Sequence, residues 1–198
     1  MKLWLGGADL EAAASETTEA YPGVAHTRTV VRIGDCFVVA DQLKSEAEHT
    51  FDLYLHSEGK LSLDGGEPEA QPIAAPVPWI EKLSARMPVT ALSGRWAEGA
   101  SGVGFWVGGT SSLTPIAGQC PAETGSRKVQ LLISRQRGRA AEFVAVLCPY
   151  QGKLDLAVER QGNELHIRHD GLLDVLTLPP DGTRPAVVRQ QPHHPSRQ

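Results

Sequence analysis

From Val24 onward apolar and polar side chains alternate with a period of two, and Gly34-Asp35 interrupts the alternation. A period of two belongs to a strand, whose successive side chains point to opposite faces. A two-residue break of this type between two such runs is a hairpin turn. His26 to Ile33 and Cys36 to Leu43 therefore pair, with Ile33 opposite Cys36 and Arg28 opposite Asp41. One face of the hairpin carries His26, Arg28, Val30, Arg32, Phe37, Val39, Asp41 and Leu43. The other carries Val31, Ile33, Cys36, Val38 and Ala40 and is core-like near the turn. A third strand is expected at once, from Glu48 to His56. His49, Phe51, Leu53 and Leu55 form its apolar face, and Thr50, Asp52, Tyr54 and His56 its polar face.

Further strands are expected at 89–96, 103–108, 128–135, 141–148, 153–159, 164–168 and 172–178, with turns at Gly138, Gly152, Gly162 and Gly171. About ten short strands with closely spaced turn signals give an all-β fold, an antiparallel β-sandwich, rather than a βαβ unit. The 198 residues suffice for one sizeable core. The Ala- and Glu-rich residues 8–20 are expected as a short helix or loose arm, so residues 1–22 are read as an N-terminal arm. Residues 23–179 are expected to form the sandwich, with 57–78 a long loop that has room for one short strand. The polar, Pro-rich residues 180–198 are expected to be a disordered tail.

The net charge of −4 excludes a generally basic, nucleic-acid-coating surface, but local arginine clusters remain free to meet an acidic ligand. No apolar run approaches the roughly 18 residues of a membrane-spanning helix. The start of the chain turns acidic by Asp9 and Glu11 and is a poor secretory signal. Three widely spaced cysteines argue against a disulfide framework and against a cysteine zinc site. Cys36 and Cys148 lie in apolar runs and are read as buried small hydrophobes.

The strand faces place chemistry together. His26, Arg28 and Asp41 share one face at the end of the hairpin far from its turn. If the apolar faces of all three strands share one core, Tyr54 and His56 join that cluster. Imidazoles with a carboxylate are a zinc ligand set, and His and Tyr are acid–base groups. On spacing alone, a solvated ion-pair face is the commoner outcome for such a cluster.

The same residues carry a family likeness. The stretch Gly23-Val24-Ala25-His26-Thr27-Arg28-Thr29-Val30, then Phe37-Val38-Val39-Ala40-Asp41, then His49 through Gly59, resembles the opening of the C-terminal β-domain of heparinase II/III-like polysaccharide lyases. Val129 to Arg135 followed by Glu142 to Tyr150 is similar to the paired strands near its end. The likeness covers about residues 20–155 and implies a sandwich of the lyase C-terminal supersandwich type. It implies β-elimination on uronate-containing polysaccharides of the heparan sulfate or alginate kind, with most catalytic groups on a separate (α/α) toroid. A histidine of the β-domain reaches the cleft in that family, and several members hold a structural zinc there through two His and one Asp. Carried over, Asp41 matches the aspartate ligand and His56 the second histidine. His26 matches either the first zinc histidine or the histidine that faces substrate. In the latter case the metal position falls on Arg28.

The resemblance thus implies His26 and Tyr54 as catalytic candidates, and His26, Asp41 and His56 as ligands of a structural zinc. Arg28, Arg95 and Trp96 are candidates for contacting an acidic polysaccharide. No amphipathic helical region lies upstream of Trp4, so the expected partner is a helical toroid in the same or a separate chain, and the chain alone is expected to be inactive. A full-length bacterial lyase of this kind implies a periplasmic setting. The alternative is a sandwich without catalysis that binds an acidic glycan or a partner domain. Arg135, Arg137 and Arg139 around Gly138 read as a basic hairpin tip, more often a solubilising feature than a glycan site. Trp106 reads as core.

Overall fold

The Gly34-Asp35 turn forms as expected, with Gly34 at φ 56°, a conformation that costs a residue without Cβ little. It joins β3 (Val24–Ile33) to β4 (Cys36–Ser57) in the expected register, Ile33 opposite Cys36 and Arg28 opposite Asp41. The computed structural model describes residues 3–7, 10–65, 71–75, 77–122, 125, 127–179 and 185–190, and no helix occurs among them.

The strands before this hairpin are β1 (Leu3–Leu5) and β2 (Leu10–Tyr21). After it come β5 (Lys60–Leu63), β6 (Gln71–Pro72), β7 (Glu81–Ala85), β8 (Val89–Glu98), β9 (Ser101–Pro121) and β10 (Lys128–Gln151). These form one large antiparallel sheet in the order β1-β2-β3-β4-β10-β9-β7-β6, with β8 also on β9 and β5 on β8. A smaller meander follows: β11 (Leu156–Gln161), β12 (Glu164–His169), β13 (Leu172–Thr177) and β14 (Ala186–Gln190). It packs Leu165, Ile167 and Leu176 against Val31, Ile33, Val38, Val144 and Val146 of the large sheet. The all-β sandwich is therefore present.

Several local expectations give way. Residues 10–21 are a strand, not a helix or loose arm. Their alanine content favours helix only weakly, and Ala12 and Ala14, opposite Val31 and Thr29, bury one face of the strand. Part of the expected tail, Ala186–Gln190, pairs with β13, and Val187 joins the core. The expected tail residues 180–184 and 191–198 lie outside the described residues.

The largest departure is that Glu48 to His56 does not form a third neighbouring strand. It continues β4 through a bend. The runs 128–135 and 141–148 likewise merge into β10, so Gly138 is not a hairpin turn. Lys44 stands opposite Ala140, but His49 stands opposite Gly138, so residues 45–48 face Arg139 alone. Such a surplus bends a strand pair and leaves residues outside the ladder. Its effect is visible in the core. Leu132 before the bend shares a cluster with Ala141, Phe143 and Ala145 after it, so the inward positions of β10 change from even to odd numbers. On β4 the same side keeps odd numbers, from Leu43 to Phe51 and Leu53. Val129, Leu131 and Ile133 turn to a separate cluster with Ile80, Leu83 and Ile116.

Cys36 and Cys148 are not independent hydrophobes. They form a disulfide across β4 and β10, with Cα atoms 4.3 Å apart and a sequence separation of 112. That separation concealed the pair, because only the β4–β10 register brings the two residues together. Cys120 is the free, buried cysteine. Mass mapping under non-reducing conditions is expected to link Cys36 with Cys148 and leave Cys120 alkylatable after unfolding. Replacing the linked pair by alanines is expected to cost about 2–5 kcal/mol in denaturant unfolding, since the bridge closes a long loop in the unfolded chain.

Candidate functional site

The β4–β10 bend creates a hollow of about 480 Å³ on the side of the sheet that carries His26, Arg28 and Asp41. Val24, Leu43, Phe51 and Phe143 give it an apolar lining. Tyr21, His26, Arg28, Asp41, His49, Asp52 and Tyr54 supply polar groups. Residues 49–54 border it because β3 pairs with β4 only as far as Ser45, so the later half of β4 has β10 alone as its described ladder partner.

Asp41 is the anchor of one wall. It is 3% exposed, and three hydrogen bonds hold it. Arg28 donates from Nε to Oδ1 and from Nη2 to Oδ2, each at 2.7 Å. His26 Nε2 lies 2.8 Å from Oδ1. A carboxylate only accepts, so Nε2 carries the hydrogen and Nδ1 is left as the atom able to take a proton. The Tyr21 ring stands 6.1 Å from the imidazole. The Arg28 side chain remains 47% exposed, and Asp41 holds its guanidinium more firmly charged than usual.

The opposite wall repeats the device. Arg135 donates from Nε and Nη2 to Asp52 at 2.7 and 2.8 Å. The Tyr54 hydroxyl donates to the same carboxylate at 3.4 Å. Partial burial, then the Asp52 charge, push the Tyr54 phenol up, while Arg135 pulls it the other way. Tyr54 is therefore a protonated donor at neutral pH, suited to giving a proton.

The hollow thus brings together His26, Arg28, Asp41 and Tyr54. It does not include His56, which is exposed on β4 beyond the bend and opposite Leu131. Among the described residues no group of three His, Cys, Asp or Glu side chains is placed to hold a metal. The residues as arranged do not fit the zinc set of His26, Asp41 and His56. The physical reason is the bend: the two parts of β4 lie end to end, not side by side. Trp96 is not a ligand platform either. It is 1% exposed, packs on Phe105 at 4.5 Å between ring centres, and donates its indole N–H to the Gln130 carbonyl. Strand alternation puts Arg95 on the other, exposed face, so the two cannot grip one ligand together. Trp106 is core, as expected.

Sequence reasoning missed Asp52 and Arg135 as a site pair. Asp52 carried a signal, two residues before Tyr54 on one strand face. Arg135 carried one only as part of the basic cluster around Gly138, which a turn at that glycine keeps apart from Asp52. Sequence reasoning also placed His49 on the apolar face, where it does contact Phe51, and overlooked that it borders the hollow.

The model of the family described as "Heparinase II/III-like, C-terminal" matches residues 5–142. The chain belongs to the heparinase II/III-like family. Among solved structures, the heparinase III BT4657 gene product aligns with 96% of this chain at 14% identity and a TM-score of 0.52. The heparan sulfate lyase HepC from Pedobacter heparinus aligns with 98% at 15% identity and a TM-score of 0.52. These likenesses show the fold. The chain covers 27% and 28% of those two proteins, little more than a quarter of their length. No curated protein matches it.

Replacing Asp52 by Asn is expected to lower the pH at which Tyr54 ionises. It removes a neighbouring charge and acceptor that favour the protonated phenol, and frees Arg135 to favour the phenolate. The measurement is tyrosinate absorbance against pH, with Tyr54→Phe variants of both backgrounds identifying the Tyr54 contribution. An unchanged or raised midpoint contradicts the coupling.

Proposed function

We propose that this β-domain serves a polysaccharide lyase that cleaves uronate-containing polysaccharides by β-elimination, and that the hollow is its contribution to the cleft. The observation that carries the reading is the pairing on one hollow of a proton acceptor, His26, and a proton donor, Tyr54, each tied to a carboxylate held by an arginine fork. In β-elimination a base takes the proton at C5 of the uronate, the C4–O bond breaks, a C4=C5 double bond forms, and the leaving oxygen gains a proton. His26 Nδ1 is suited to the first transfer and the Tyr54 hydroxyl to the last. Arg28 Nη1, outside the Asp41 fork, is suited to the uronate carboxylate.

The domain is proposed to be inactive alone, with a helical domain, in the same or a separate chain, completing the cleft. An uncovered apolar row supports such a partner. Trp4, Ala13, Val30 and Val39 lie in one cross-strand register on the face of the hollow, and Phe37 stands beside them. Trp4 and Phe37 are 71% and 41% exposed. Exposed apolar patches of this kind mark interaction surfaces.

The test combines binding and turnover. The purified chain is expected to bind heparan sulfate or alginate oligosaccharides in calorimetry, more weakly as salt rises. Arg28→Gln is expected to weaken binding by about tenfold or more, as loss of a charge-assisted hydrogen bond does. No unsaturated uronate is expected to accumulate. Turnover by the chain alone contradicts the proposed division of labour, and absence of salt-sensitive binding contradicts the site.

A further inference from the structure

We propose that the His26–Asp41–Arg28 cluster is a metal-free site in which the Arg28 guanidinium occupies the place a metal ion would need against Asp41. The chain supplies the cation itself. Arg28 is directly opposite Asp41 in the β3–β4 ladder, and His26 is two residues from Arg28 on the same face. Side chains so placed meet over Asp41, and the guanidinium fork fills both oxygens while the imidazole takes a third contact. A zinc ion would need at least three nitrogen, sulfur or oxygen donors converging on one point. Here only His26 and Asp41 converge, and the third group at the point is itself a cation.

The small sheet carries the same device independently. Asp174 on β13 is fully buried and takes the Arg189 fork at 2.7 and 3.0 Å, with His169 Nε2 at 2.8 Å. Burial opposes its ionisation, but the Arg189 and His169 contacts outweigh that and hold its carboxyl below the usual range. This second triad sits beneath the β3–β4 turn, where Arg189 Nη2 and His169 Cε1 approach Gly34. A buried aspartate compensated by an arginine fork and a histidine is thus a recurrent solution in this chain, in the small sheet as well as at the hollow.

The proposal concerns the cation at Asp41 and stands whether or not the hollow takes a glycan. Its test uses the untagged full chain, loaded with zinc sulfate and dialysed, with metal content and melting temperature as readouts. The wild-type chain is expected to keep under about a tenth of an equivalent of zinc and to melt at the same temperature with and without chelator. Arg28→His puts a third donor opposite Asp41, and that variant is expected to hold about one zinc per chain and to melt higher with zinc. Adding Asp41→Asn to it is expected to abolish the gain. Arg28→Lys keeps the charge but loses the fork, and is expected to melt several degrees lower than wild type, about the loss of one charge-assisted contact. A wild-type chain that keeps one equivalent of zinc and melts lower with chelator overturns the proposal. So does a folded Arg28→His variant that takes up no more zinc than wild type, or an Arg28→Lys variant with unchanged melting.

Discussion

The ladder between β4 and β10 is the interaction on which the molecule depends. These two strands are the longest in the chain and lie at the centre of the large sheet, with β3 on one side and β9 on the other. Both faces of β10 are buried, so its side chains divide among all three apolar clusters. A flat ladder of this length would leave one core unclosed. The four-against-one mismatch at residues 45–48 and Arg139 bends it, and the bend turns the later half of β4 so that it borders the hollow with β3. The Cys36–Cys148 bond lies across the same pair of strands near the hairpin. Register, core and site thus share one origin.

On this frame the hollow is built by charge compensation. Asp41 and Asp52 are each taken by an arginine fork, which keeps a carboxylate among apolar residues tolerable. Each then has capacity left for one further group, His26 on one wall and Tyr54 on the other. The arginines balance the carboxylates and so permit them to orient the groups able to move protons. On the proposed reading, that division lets a chain of net charge −4 offer the hollow to an acidic glycan.

What the sequence disclosed followed from short-range rules. A two-residue turn sets the register of its hairpin, so the meeting of Arg28 and Asp41, and the placing of His26 beside them, could be worked out from Gly34-Asp35 alone. Binary alternation carried the all-β class for the same reason. What it concealed depended on long-range pairing. Nothing at Lys44 to Glu48 or at Gly138 distinguishes a bend from a turn, because glycine serves both. Reading Gly138 as a turn puts Arg135 at a hairpin tip, and reading Glu48 to His56 as a separate third strand puts His56 beside Asp41. Cys36 and Cys148 show the same limit, being opposite one another only after β4 and β10 are aligned. The strand Leu10–Tyr21 was hidden by alanines whose helical preference is weaker than the ladder that β3 offers.

The central claim is that the bend at Gly138–Ala140 brings the two walls of the hollow together. Cross-strand proton contacts in an isotope-labelled sample, read by nuclear Overhauser effects, test it most directly. The account predicts backbone contacts between His49 and Gly138 on one side of the bend and between Lys44 and Ala140 on the other, with residues 45–48 outside the β10 ladder. Side-chain contacts between Asp52 and Arg135 belong to the same pattern. An uninterrupted ladder that continues from His49–Gly138 to Ala47–Ala140 would contradict it, because the later half of β4 would then run straight on and the hollow would not exist.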